Sequence, residues 1–100
     1  MEYPFLSNVE QIWESLRRMH ALTLRQRVIA EKDSGKLLIE LESSEARAEI
    51  VAQEALKSLK ISVYRFKDTK VIADGFCNSN FELERKLRKL AIDLGASPFA

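Results

Sequence analysis

The sequence predicts an α+β domain in which an antiparallel sheet is covered by helices. Two observations support this class. Apolar residues recur at helical spacing in three stretches, and two short polar turns, at residues 33–35 and 67–70, each separate a pair of short apolar runs. The predicted order is α-ββ-α-ββ-α, with a four-stranded antiparallel sheet, helices mainly on one face, and a single domain over residues 1–100.

The composition is typical of a single globular domain. The chain has 100 residues, of which 46% are hydrophobic and 31% are charged. A single cysteine excludes an internal disulfide framework. No apolar run approaches the roughly 20 residues needed to span a bilayer. The first residues lack the basic and apolar regions of a secretory signal, so we expect a cytoplasmic protein.

The first predicted helix begins near Ser7. Ser7 and Glu10 have the spacing of a capping box, in which each side chain accepts a hydrogen bond from the other residue's backbone N–H. The apolar stripe that follows consists of Val9, Ile12, Trp13, Leu16, Met19 and His20.

Residues 24–31 and 36–42 are predicted to form the first hairpin. The second of these runs alternates most clearly, with Leu37, Ile39 and Leu41 on one face. Leu38 is an apolar exception on the other, polar face.

The second helix is predicted from Ser43 or Ser44, either of which can cap it, to about residue 59. Its buried stripe would be Ala48, Val51, Ala52, Ala55, Leu56 and Leu59. In this helix Ile50 would lie on the opposite, charged face.

A second hairpin is predicted over residues 61–66 and 71–77, followed by a last helix. Ser79 and Glu82 have capping-box spacing, and Gly95 is a natural stop. The buried stripe of this helix consists of Leu83, Leu87, Leu90, Ala91 and Leu94.

No motif in the sequence carries chemistry. The one histidine, His20, lies in an apolar stripe, which favours a structural role. Cys77 precedes a helix start, where a thiol can become reactive, although a small buried side chain is the simpler interpretation. The glycines are isolated, and no ligand spacing suits a metal ion. We therefore predict no enzyme activity, no cofactor and no metal.

The favoured function is a protein-interaction or adaptor module that dimerises or docks in a larger assembly. On the last helix, Phe81, Arg85, Arg88 and Ile92 form an outward stripe in which two apolar residues frame two basic ones. Leu38 and Ile50 are further apolar residues expected on polar faces, and they complete the predicted interface.

The alternative is an RNA-binding or other nucleic-acid-binding accessory protein. Residues 55–90 hold 9 Lys or Arg against 4 Asp or Glu, a net charge of +5. Aromatic side chains on an open sheet face beside such cations can stack on bases. The candidate residues are Tyr64, Phe66, Lys67, Lys70, Arg85, Arg88 and Lys89.

The order of elements over residues 38–94 is similar to that of two known families. A strand that leads into the helical sequence Ser43-Ser44-Glu45-Ala46, then a hairpin and a long helix, resembles the small dimerisation subunit of the KEOPS tRNA-modifying complex. This resemblance implies a dimerising small subunit of such a complex. The extra N-terminal helix and strand depart from that family, as does the lack of an acidic proline turn. The element order is also similar to that of roadblock-like light chains.

Overall fold

A computed structural model describes residues 3–31 and 33–96. The chain order is one helix, five strands and a second helix. The elements are α1 (Pro4–Met19), β1 (Arg25–Glu31), β2 (Lys36–Glu42), β3 (Arg47–Gln53), β4 (Ser58–Arg65), β5 (Asp68–Phe76) and α2 (Asn80–Asp93).

The five strands form one antiparallel sheet in which each strand pairs with its neighbour in sequence, in the order β1-β2-β3-β4-β5. Both helices pack on one face, which we call the helix face, and the other is the open face. The core lies between the helices and the three central strands. Its largest fully buried side chains include Trp13, Leu16, Leu37, Ile39, Leu59, Ile61, Leu83, Leu87 and Leu90.

The α+β class and the antiparallel sheet are thus confirmed, but the predicted order and the count of four strands are wrong. The segment expected to be the middle helix contains the strand β3, which pairs with β2 on one side and β4 on the other. Ala48, Ile50 and Ala52 alternate onto the helix face, where all three are buried. The apolar pattern of this segment fits both the helical and the strand period, and the two neighbouring strands satisfy its backbone as a strand.

Two local features of the predicted middle helix take other roles. Ser43 closes the β2–β3 turn: its hydroxyl oxygen accepts a hydrogen bond from the Ala46 N–H over 3.2 Å, and its own N–H donates to the Ala46 carbonyl over 2.8 Å. Residues 54–57 form the β3–β4 turn with neither Gly nor Pro, and Lys57 adopts the left-handed region at φ 47°. The sequence therefore carries no ordinary turn signal at this point.

The helix starts differ from each other in how they are capped. α1 begins at Pro4 rather than at Ser7, and its N-cap Tyr3 makes no side-chain cap. The Glu54 carboxylate, from the β3–β4 turn, instead accepts hydrogen bonds from the N–H groups of Phe5 and Leu6 over 2.9 and 3.2 Å.

At α2 the predicted cap is confirmed. The Ser79 hydroxyl accepts from the Glu82 N–H over 3.2 Å, as the capping-box spacing indicates. The reciprocal bond is displaced by one residue, since the Glu82 carboxylate accepts from the Asn78 N–H over 3.3 Å. In the predicted stripe of α1, Met19 is exposed rather than buried.

Candidate functional site

The outward face of α2 carries the stripe that the sequence predicts. Phe81 is 74% exposed and Ile92 is 37% exposed, while Arg85 is exposed and Arg88 half-buried between them. The side chains on the opposite face of the helix are buried in the core. Large exposed apolar side chains on such a helix are typical of a contact surface when others lie nearby.

A depression of about 370 Å³ adjoins Ile92, where α2 meets the edge strand β5. Its lining comprises Lys70, Val71, Ile72, Lys89, Ile92 and Asp93. Val71 is exposed on the open face, so apolar surface continues from α2 around the sheet edge. We call the set formed by Phe81, Arg85, Arg88 and Ile92 with Lys70, Val71 and Lys89 the α2/β5 surface.

The charges of the α2/β5 surface are only partly neutralised. Asp93 pairs with Arg65 over 2.9 Å and with Lys70 over 3.5 Å, and thereby ties the end of α2 to β4 and β5. Arg88 pairs with Glu84 over 2.6 Å. Arg85 and Lys89 are exposed and form no hydrogen bond or ion pair within the part of the chain that the structure describes. The surface is therefore apolar with a net positive fringe.

The residues of the predicted nucleic-acid site are divided between two sides of the sheet. Tyr64 lies half-buried on the open face, where its hydroxyl donates a hydrogen bond to the Glu49 carboxylate over 3.4 Å. The Arg47 guanidinium lies over the Tyr64 ring, 5.8 Å from the ring centre. Phe66 is 90% exposed in the β4–β5 turn, with the Lys67 ammonium 5.7 Å from the centre of its ring. The cations of α2 lie across the sheet from Tyr64. Lys70 and Lys89 do come together, at the depression beside Ile92.

Two residues of the predicted interface are not on the α2/β5 surface. Ile50 is 0% exposed in the core, so its assignment as an interface residue is wrong, because β3 is a strand that turns this position toward the helices. Leu38 lies half-buried on the open face, between its cross-strand neighbours Ile29 and Val51.

Charged side chains surround a second depression, of about 260 Å³, on the open face. Arg27 pairs with Glu40 over 3.3 Å, while Glu40 and Glu49 are cross-strand neighbours. Among the described residues, no three His, Cys, Asp or Glu side chains are grouped so as to hold a metal ion. Cys77 is buried, and His20 is half-buried with its Nε2 atom enclosed and without a hydrogen bond.

Comparisons with known proteins leave the site to be interpreted on its geometry. No protein-family model matches the chain, and no curated protein or solved structure is significantly similar to it. The resemblance to the KEOPS subunit and to roadblock-like chains depends on a predicted helix after Ser43. The structure has the strand β3 in that segment, so the element order behind both resemblances is wrong. In the described part of the chain, neither helix is long and apolar enough to cross a membrane.

Sequence reasoning missed two residues that organise the site and its support. Asp93 joins α2 to both strands of the last hairpin, and Glu54 caps α1 from a distant turn. Neither residue belongs to a motif, because each acts on partners far away in sequence. The open-face charge network would follow from strict alternation once β3 is assigned as a strand.

Proposed function

We propose that this protein is a non-enzymatic interaction module that docks a protein partner on the α2/β5 surface. The observation that supports this most directly is the exposure of Phe81 and Ile92 on a helix whose other face is fully buried. Val71 extends the same apolar surface onto the adjoining strand. Burying a side chain such as Phe contributes about 1.5–3 kcal/mol, which makes Phe81 the expected anchor.

The charge of the surface defines the partner. Arg85 and Lys89 form no ion pair within the described residues, and Lys70 lies beside Lys89. A partner that fits would present apolar side chains flanked by carboxylates, because such a partner both covers the apolar residues and pairs with the basic fringe.

Site-specific photo-crosslinking tests this proposal. A photoreactive phenylalanine analogue at position 81 is expressed in the native host, and the cross-linked peptide is identified by mass spectrometry. We expect an acidic, apolar peptide of one protein, whose yield falls at least tenfold when Ile92→Asp is added. Leu56→Asp is the matched control, because Leu56 is a similarly exposed apolar residue in the β3–β4 turn. It should leave the yield unchanged.

Two outcomes would contradict docking at this surface. Equal cross-linking in the Ile92→Asp and Leu56→Asp variants would remove α2 from the interaction. Cross-linking to RNA or DNA, with binding that weakens steeply as salt increases, would support the alternative function instead. Two features favour that alternative: the exposed pair Phe66 and Lys67, and the adjacent cations Lys70 and Lys89. The ion pair between Lys70 and Asp93 counts against it, because it reduces the net positive charge available to bind phosphates.

A further inference from the structure

The two edge strands of the sheet differ in how they resist further pairing. β5 contains a register shift opposite Ile61 and Ser62, and the Lys86 ammonium donates to the Phe76 carbonyl over 3.0 Å. β1 pairs with β2 over all 7 residues without a shift and contains neither Gly nor Pro. An exposed, regular edge strand is a template for another strand, whereas bulges and covering side chains discourage pairing. The unprotected edge is therefore β1.

β1 is also tied to α1 on the helix face. The Trp13 indole N–H donates to the Gln26 side-chain carbonyl over 3.1 Å, which ties the strand to α1. Val28, two residues on and on the same face, is 44% exposed. The strand is thus fixed in orientation while its outer edge and Val28 remain accessible.

We infer that β1 pairs antiparallel with β1 of a second copy of this chain, about a two-fold axis at Val28, so that two sheets join into one. This surface lies at the opposite edge of the sheet from the α2/β5 surface, and the inference goes beyond the proposed docking function without depending on it. A two-fold axis makes the same patch complementary to itself.

Charge complementarity and full use of the strand together favour this register. The axis at Val28 places Arg25 of each copy opposite Glu31 of the other. Within a copy, Arg25 is the cross-strand neighbour of Glu42, and Glu31 is the cross-strand neighbour of Lys36. The joined sheet therefore carries a row of side chains whose charges alternate across the junction, and opposite charges at directly facing positions stabilise strand pairs.

Neighbouring registers fit less well. An axis at Arg27 would place the two Arg27 side chains opposite each other, which like charges oppose. An axis at Ile29 would place Arg27 opposite Glu31, but it would pair only residues 27–31 and leave Arg25 unmatched. The axis at Val28 uses the whole strand and brings the two exposed Val28 side chains together on the helix face.

Paired charge reversals test the register directly. Native mass spectrometry and sedimentation equilibrium are applied to the full chain, to Arg25→Glu, to Glu31→Arg and to their equimolar mixture. Each variant alone faces two like-charge pairs, so we expect its self-dissociation constant to rise at least tenfold. In the mixture both facing pairs are again opposite in charge, so a heterodimer should form.

Two further variants separate the effect on pairing from an effect on folding. Val28→Lys leaves every charge pair within a copy in place and puts two ammonium groups on the axis, so it should be monomeric with an unchanged circular dichroism spectrum. Arg85→Glu reverses a charge on the α2/β5 surface and should dimerise like the native chain, which keeps this test distinct from that of docking.

The inference is supported by a native dimer, monomeric single variants and a heterodimer in the mixture. It is overturned if the native chain is monomeric at about 100 µM, a concentration at which even a weak dimer is populated. It is equally overturned if the native dimer persists in Val28→Lys, or if the mixture of reversed variants contains no heterodimer.

Discussion

Replacing Glu54 tests whether the start of α1 depends on a carboxylate from the β3–β4 turn, which is distant in sequence. Pro4 has no N–H to satisfy, and both N–H groups that follow it, those of Phe5 and Leu6, donate to the same Glu54 oxygen. Phe5 and Leu6 are buried, so loss of the acceptor leaves two partly buried N–H groups without a partner in the protein. Glu54→Ala should therefore unfold more easily, whereas Glu54→Gln retains an acceptor and loses only the charge.

The magnitude follows from the two parts of this interaction. Loss of a helix cap costs about 1 kcal/mol, and loss of a negative charge at a helix N-terminus costs about 0.3–1 kcal/mol. We expect Glu54→Ala to lower the free energy of unfolding by about 2 kcal/mol and Glu54→Gln by up to about 1 kcal/mol. For a domain of this size, 2 kcal/mol corresponds to a fall in Tm of roughly 8–16 °C.

Urea denaturation followed by circular dichroism measures both variants, with Glu45→Ala as the control. Glu45 is an exposed glutamate in the β2–β3 turn, and its side chain makes no hydrogen bond within the described residues. Its replacement should change the free energy of unfolding by less than about 0.5 kcal/mol. Near-native stability of Glu54→Ala, or an equal loss in Glu45→Ala, would refute the capping role.

Two further predictions concern stability. Ile50→Ala should lower the free energy of unfolding by about 2–5 kcal/mol in urea, because the side chain is fully buried, and a near-neutral effect would contradict its core position. The hydrogen bond from Arg17 lowers the pKa of Glu14 below its ordinary value of 4.5, so this carboxylate stabilises the fold above that pH and the contribution is lost on acidification. Glu14→Gln should therefore lessen the fall in stability between about pH 5 and pH 3, by under about 1 kcal/mol since both side chains are only half-buried, as thermal melts across that range would show.

The middle of the chain explains why the predicted order was wrong. Residues 47–53 place small and apolar side chains at spacings that suit a helix and a strand equally. The turn that ends β3 contains no Gly or Pro, and Lys57 adopts a conformation usually left to Gly. Ser43 resembles a helix cap but satisfies a hairpin turn, because its hydroxyl can accept from backbone N–H groups in either setting.

Only the helical part of the candidate site follows from the sequence. The stripe of Phe81, Arg85, Arg88 and Ile92 follows from helical periodicity alone, and α2 presents it outward as predicted. Its neighbours Lys70 and Val71 could not be placed there from the sequence, because they reach α2 only through the pairing of β5 with β4.

The sequence alone determined the α+β class, both terminal helices and the strand β2, since each has a single strong period and, at α2, a clear cap. Only the tertiary structure determined that β3 is a strand, that Ile50 is buried, and that Glu54 and Asp93 hold the helices. The reason is physical: local periodicity determines whether a segment is a helix or a strand only where a single period fits its apolar residues. Elsewhere, burial and backbone pairing with distant residues select the conformation.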